Sequence, residues 1–176
     1  MQKNWYAVYT RPNNEKKVSL LLTKKRLENF YPLNVRKIKS FRKTKILNEP
    51  LFKSYVFVNV NDSELSLLKQ IDGVISILYW MGRPAIIKKD EIEVIKEFVS
   101  DHQNIALEKA NVDMNNTTHV IEGPSYAIEG KLLALKNKNI KVTLPSLGYT
   151  MVAKIQEESI FGREATILQN NSFSNS

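Results

Sequence analysis

The 176-residue chain has no cysteine and only two histidines, His102 and His119. Without thiols it has no disulfide scaffold, no thiol nucleophile and no Cys-based zinc or iron–sulfur site. A reducing, cytoplasmic setting is the default expectation for such a chain. Two histidines are too few for a multi-histidine metal centre. No run approaches the ~18 apolar residues of a membrane span. The first residues lack the basic and apolar regions of a secretory signal. There is no P-loop and no GxGxxG. Asp90, Glu91, Glu93 and Glu97 share one stretch and read as the solvated face of a helix. No nucleophile, base and orienting group assemble into one site, so neither an enzyme nor a bound cofactor is expected.

What is present is an uneven charge and enough apolar content to fold. Hydrophobic residues make up 43% of the chain, which suits one domain or two small ones. Residues 1–60 hold 14 Lys/Arg against 3 Asp/Glu, residues 61–102 hold 5 against 8, and residues 103–176 hold 7 against 7. A basic first third beside two near-neutral parts points to a polyanion partner on one region only. A soluble Lys-rich surface is the plain alternative.

The pattern along the chain is α+β. Residues 5–10 read as a buried strand, and Pro12 with Asn13 or Asn14 opens a helix running to about Glu28. Val18, Leu21 and Leu22 form its inward stripe, while Leu20 and Leu27 suggest a second covered side. Residues 30–35 read as strand. The basic stretch 36–45 reads as the arms of a hairpin or an exposed loop. Residues 55–60 form the strongest strand by composition. A short helix with Leu65, Leu68 and Ile71 ends at Gly73, residues 74–80 are strand, and residues 90–100 are helix. Residues 103–116, poor in large apolar groups, read as a linker. Beyond it, short strands are expected at 119–121, 131–135, 140–144, 149–155 and 165–168, enough for a small barrel. Residues 169–176 read as a frayed tail.

Two constellations stand out. Trp5, Tyr6, Tyr9, Phe52, Tyr55, Phe57, Tyr79 and Trp80 come from a few strands that would gather them. A domain of that size cannot easily hide them all, and an exposed aromatic patch marks a partner site; the plain alternative is that each is core. Arg11, Lys16, Lys17, Arg36, Lys37, Lys39, Arg42, Lys43 and Lys45 are cations suited to phosphate. Phe41 among them is placed to stack on a base.

Residues 5–12 (WYAVYTRP), 15–18 (EKKV), 49–58 (EPLFKSYVFV), Gly73-Val74 and 82–85 (GRPA) resemble, in order and spacing, the N-terminal domain of NusG-type transcription elongation factors. Residues 120–124 (VIEGP) with Gly130 are similar to the KOW barrel that follows it. The subgroup most resembled is that of specialised paralogues, RfaH and the antiterminators of polysaccharide operons. The resemblance implies a NusG-type sheet-plus-helices domain at 1–102 and a KOW-like barrel at 117–168. It implies binding to the clamp helices of the largest RNA polymerase subunit through Tyr9, Phe52, Tyr55 and Phe57, with Tyr79 and Trp80 nearby. The basic residues Arg11, Lys16, Arg36, Lys37, Lys39, Arg42, Lys43 and Lys69 would face nucleic acid, notably the non-template DNA strand. Residues 69–72 align with a DNA-reading region, with Asp72 where that type has a basic residue. The KOW part would meet a ribosomal protein or a termination factor, and the implied activity is elongation and antitermination by suppressed pausing. The alternative is a ribosome-associated KOW-domain protein that binds RNA.

Overall fold

The computed structural model describes residues 2–110, 120–121 and 139–154. The central element is an antiparallel sheet. Its strands are β1 (Asn4–Thr10), β2 (Glu28–Phe30), β5 (Tyr55–Val60), β6 (Val74–Ile77) and β9 (Ile86–Ile87), ordered β2-β5-β1-β6, with β9 also on β1. A two-stranded ribbon, β3 (Leu33–Lys39) with β4 (Thr44–Pro50), stands apart, as does the small hairpin β7 (Tyr79–Trp80) with β8 (Arg83–Pro84). The helices are α1 (Glu15–Lys24), α2 (Leu65–Leu68) and α3 (Lys89–Asp101). A second sheet, ordered β10-β13-β12-β11, is built from β10 (Ala106–Lys109), β11 (Val120–Ile121), β12 (Asn139–Leu144) and β13 (Tyr149–Lys154).

The central sheet is apolar on both faces because both are covered. Strand alternation sends Tyr6, Val8, Val56, Val58 and Val60 to one side, where they pack with Val18 and Leu22 of α1 and Leu68 of α2. Trp5, Ala7 and Phe57 go to the other side. There α3 contributes Ile92, Ile95 and Phe98, and the second sheet contributes Val142, Leu144, Met151 and Ala153. Two-sided burial explains why residues 5–8 read as a continuous apolar run rather than an alternation. The expected alternation along β12 is observed: Val142 and Leu144 are buried, and Thr143 on the other face meets the Thr150 hydroxyl at 3.0 Å.

Several expectations shift. The first helix ends at Lys24, because Arg26 turns left-handed (φ 59°) and Glu28 is needed in β2. Of the two leucines expected on a second covered side of α1, Leu20 is 55% exposed, while Leu27, past the helix end, is buried in the core under α1. The strand expected at 30–35 breaks at Pro32, whose carbonyl accepts the Leu51 N–H. The strand expected at 74–80 leaves the sheet after Leu78 donates to the Ala7 carbonyl. Glu91 is not on a solvated face; it is fully buried. The stretch read as a linker carries β10, since Leu107 packs against the core that the sheets share. The strands expected at 131–135 and 165–168, and the tail 169–176, lie outside the described residues.

Gly73 fixes how the chain passes α1. Its φ of +94° lies in the left-handed region, and an added Cβ would come within 3.0 Å of Val18 Cγ2. Its carbonyl also accepts the Arg11 N–H at 2.8 Å. Gly73→Ala is expected to lower folding stability by about 1–3 kcal/mol, measured as a drop in the urea midpoint at constant slope.

Candidate functional site

The aromatic face is built by pairing. Tyr9 pairs with Tyr55 across β1 and β5, and Phe57 follows Tyr55 on the same face. Tyr55 is placed by the turn before β5. The buried Glu15 carboxylate accepts the Ser54 N–H at 2.7 Å, and Ser54 returns its carbonyl to the Thr10 N–H at 2.8 Å. Ser54 adopts φ 62°, a strained value that these two bonds hold. The Tyr9 and Tyr55 rings lie 5.4 Å apart, and Phe52 meets the Phe57 ring edge-on, also at 5.4 Å.

Exposure divides the six expected polymerase-binding residues. Phe57 is fully buried and Phe52 is 4% exposed. Phe52 is covered by Tyr149 of the second sheet, with ring centroids 6.1 Å apart. Tyr55 is half-buried and Tyr9 is 37% exposed. Burial, and then the neighbouring hydroxyls of Tyr149 and Tyr9, push the Tyr55 phenol above its ordinary value. A cleft of about 390 Å³ opens where the ribbon root meets the second sheet; Phe52, Tyr55, Leu107 and Tyr149 line it. Phe57 therefore supports the site from beneath. Tyr79 and Trp80 are exposed and stand on the separate β7–β8 hairpin.

The eight expected nucleic-acid residues fall into two groups. Arg11, Lys16 and Lys69 are exposed around the start of α1 and the end of α2. There Lys17 pairs with Asp72. The Lys17 hydrogen bond and charge hold the Asp72 carboxyl below the usual carboxylate range, and Arg11 adds to this. Arg36, Lys37, Lys39, Arg42 and Lys43 lie on the β3–β4 ribbon and its turn. Only Arg36 among these five is in an ion pair within the described residues, with Glu49 at 3.2 Å.

Three anchoring contacts escaped sequence reasoning. Glu91 accepts the Ser146 N–H at 3.0 Å and so ties the β12–β13 turn to α3. Asn34 is buried and bonds both backbone groups of Ile105, at 2.8 and 3.0 Å. Asn104 receives the Lys37 N–H on its side chain at 2.9 Å. Isolated Asn and Glu residues gave no local signal for these long-range bonds. Tyr149 was legible as a strand residue, not as the cover of Phe52. Among the described residues no group of three or more His, Asp or Glu is placed to hold a metal ion. No helix there is long and apolar enough to cross a membrane.

With this geometry in place, residues 3–96 match the family model described as NusG, transcription termination factor nusG. The chain belongs to the NusG family. Members of that family are non-enzymatic transcription factors that act on RNA polymerase. No curated protein matches the chain. A solved structure described as "Domain interaction in Thermotoga maritima NusG" is similar over 89% of this chain and 99% of that one, at 22% identity and a TM-score of 0.48.

Two measurements check these contacts. Glu91→Ala leaves the Ser146 N–H without its partner, a loss of roughly 1–3 kcal/mol. Amide exchange across 139–154 is expected to rise while that of β1 and β5 stays protected. The Lys17–Asp72 attraction is present at neutral pH and is lost as pH falls through the depressed Asp72 value, since only the carboxylate attracts Lys17. In Lys17→Ala, a carboxyl-carbon NMR titration is expected to find Asp72 risen toward its ordinary range.

Proposed function

We propose that this NusG-family chain is a transcription elongation and antitermination factor of the specialised, RfaH-like kind. In this reading the Tyr9–Tyr55 edge and the cleft beside it hold the clamp helices of the largest RNA polymerase subunit. The observation that carries the reading is that pair: two rings in contact, both partly open to solvent, with Tyr55 lining a cleft of mixed apolar and charged character. Such amphipathic rings at a patch centre are typical binding anchors. Phe52 supplies the apolar floor and Phe57 the support behind it. Tyr79 and Trp80, on their own hairpin, extend the contact. Arg11, Lys16 and Lys69 face the non-template DNA strand, and the ribbon cations face nucleic acid further out.

The chain is read as a polymerase-binding unit over 1–102 and a KOW-like barrel over 117–168, with the stretch 103–116 between them lending β10 to the second sheet. The barrel is the part that would meet a ribosomal protein or a termination factor. Tyr149 on Phe52 has a mechanical consequence: a coiled coil seated on Phe52 and β12–β13 compete for one face. Suppressed pausing further requires tighter binding to the closed, processive polymerase than to the paused state.

Tyr55→Ala tests the reading. Loss of a central anchor of ~2 kcal/mol or more is expected to weaken binding of the full chain to a clamp-helix fragment by about 30-fold or more. Thermal unfolding is expected to change little. Unchanged affinity by calorimetry would remove Tyr55 from the interface.

A further inference from the structure

The cleft of about 390 Å³ at the ribbon root has walls from separate parts of the chain. The ribbon supplies Arg36 from β3 and Glu49 from β4, paired at 3.2 Å. The turn before β5 supplies Phe52 and Lys53, with Tyr55 at the start of that strand. The second sheet supplies Tyr149 from the start of β13. Phe52 is almost fully buried and forms the floor, with the Tyr149 ring edge-on to it at 6.1 Å. Rings thus occupy one side of the cleft and charges the other.

The polar groups of this cleft are not used up by the fold. The Tyr55 and Tyr149 side chains are half-buried, yet neither hydroxyl has a hydrogen-bond partner among the described residues. The charge that Tyr149 would carry helps push the Tyr55 phenol up, so the two hydroxyls lie near each other. Lys53 is exposed and has no ion pair among the described residues. Arg36 gives Glu49 its Nη1 alone, which leaves the rest of its donor fork open. With Glu49 committed to Arg36, the charge left over is the positive one on Lys53. Half-buried donors left without acceptors cost stability, and here they face one space.

We propose that the cleft binds a small molecule with a flat aromatic body and one anionic group, and that the bound molecule ties the second sheet to the ribbon root. The aromatic body lies against Phe52 and Tyr149, where offset or edge-on ring contacts are favourable. The anionic group takes Lys53 and the open side of Arg36, and the two phenols donate to it. The cleft volume is at the small end for ligand sites, which suits one or two fused rings, and few convergent polar groups beside apolar walls are the usual make-up of such sites. A bare inorganic anion would leave the ring side empty. A metal ion would find a single carboxylate, already paired with Arg36. Because the ligand touches β13 as well as the ribbon and the turn, it binds their joined arrangement and stabilises it by mass action. On the polymerase reading above, it then opposes a coiled coil seated on Phe52; that last consequence alone rests on that reading.

The experiment titrates the full chain by calorimetry with 2-naphthoate, 2-naphthyl phosphate, the neutral 2-naphthalenemethanol and acetate. Both aromatic anions are expected to bind, and the tighter of the two names the head group. The neutral alcohol is expected to bind at least about tenfold more weakly, because it forgoes the charge-assisted bonds, and acetate not at all. Lys53→Ala is expected to weaken naphthoate binding by about tenfold without altering thermal unfolding of the free protein. Tyr149→Phe keeps the ring over Phe52 and is expected to weaken binding about threefold or more through the lost hydroxyl. Saturating naphthoate is expected to slow amide exchange at 106–109 and 149–154. Equal affinity for the acid and the alcohol, no binding of either anion, or an unchanged affinity in Lys53→Ala overturns the site. Binding without slower exchange at those strands overturns the tie between sheet and ribbon. Naphthoate is also expected to weaken binding of a clamp-helix fragment. A fragment that binds equally well with naphthoate present removes the opposition, and one that never binds refutes the polymerase reading while the ligand site stands.

Discussion

The structure depends on covering one apolar face of the central sheet. Trp5, Ala7 and Phe57 face away from α1, and α3 shields part of that surface with Ile92, Ile95 and Phe98. The remainder, around Phe52 and Phe57, is shielded by Val142, Leu144, Met151 and Tyr149. Bare rings of this size in water carry a large cost, of the order of 25 cal/mol per Å² of apolar surface. The face must therefore be occupied, by the chain's own strands or by something of similar shape. The surface proposed for a partner and the surface that the second sheet covers are here one and the same.

This identity explains which parts were legible in the sequence. The strand at 55–60 and the alternation of Ile140, Val142 and Leu144 are local patterns, and they fold as they read. Family motifs likewise pick out Tyr9, Phe52 and Tyr55 as neighbours. The burial of Phe52 was not legible, because it depends on Tyr149, an aromatic residue almost a hundred positions further along. Glu91 shows the same limit. Three neighbouring carboxylates suggested a solvated face, yet its own side chain is turned inward to receive a backbone N–H from Ser146. The left-handed backbone at Arg26 and Ser54, without glycine at either position, is a tertiary effect that propensity does not foresee.

Charge and apolar surface are kept apart. The ribbon carries five cations with no ion pair among the described residues, Lys37, Lys39, Arg42, Lys43 and Lys45, and contributes little to the two cores beyond its root. The separation has a physical basis: a cation placed beside the covered rings would lose hydration without gaining a partner. At the one place where a cation does approach a ring there, Lys96 sits 5.5 Å from the Trp5 centroid and also pairs with Glu93. By contrast, Lys17 at the far edge is met by Asp72, which offsets positive potential near Arg11.

The two surfaces are nevertheless joined at Asn34. Its side-chain amide imitates a strand partner, giving one donor and one acceptor to Ile105. Asn104 beside it repeats the device toward Val35 and Lys37. These bonds pin the chain to the ribbon root immediately before it enters β10. Any displacement of the second sheet that spares them must pivot after Ile105, so the ribbon can keep its place while the aromatic face opens. A displacement that breaks them leaves the buried amide of Asn34 unsatisfied, which costs more than the net worth of the bonds themselves. Of two such displacements, the one that pivots after Ile105 and keeps these bonds is the less costly.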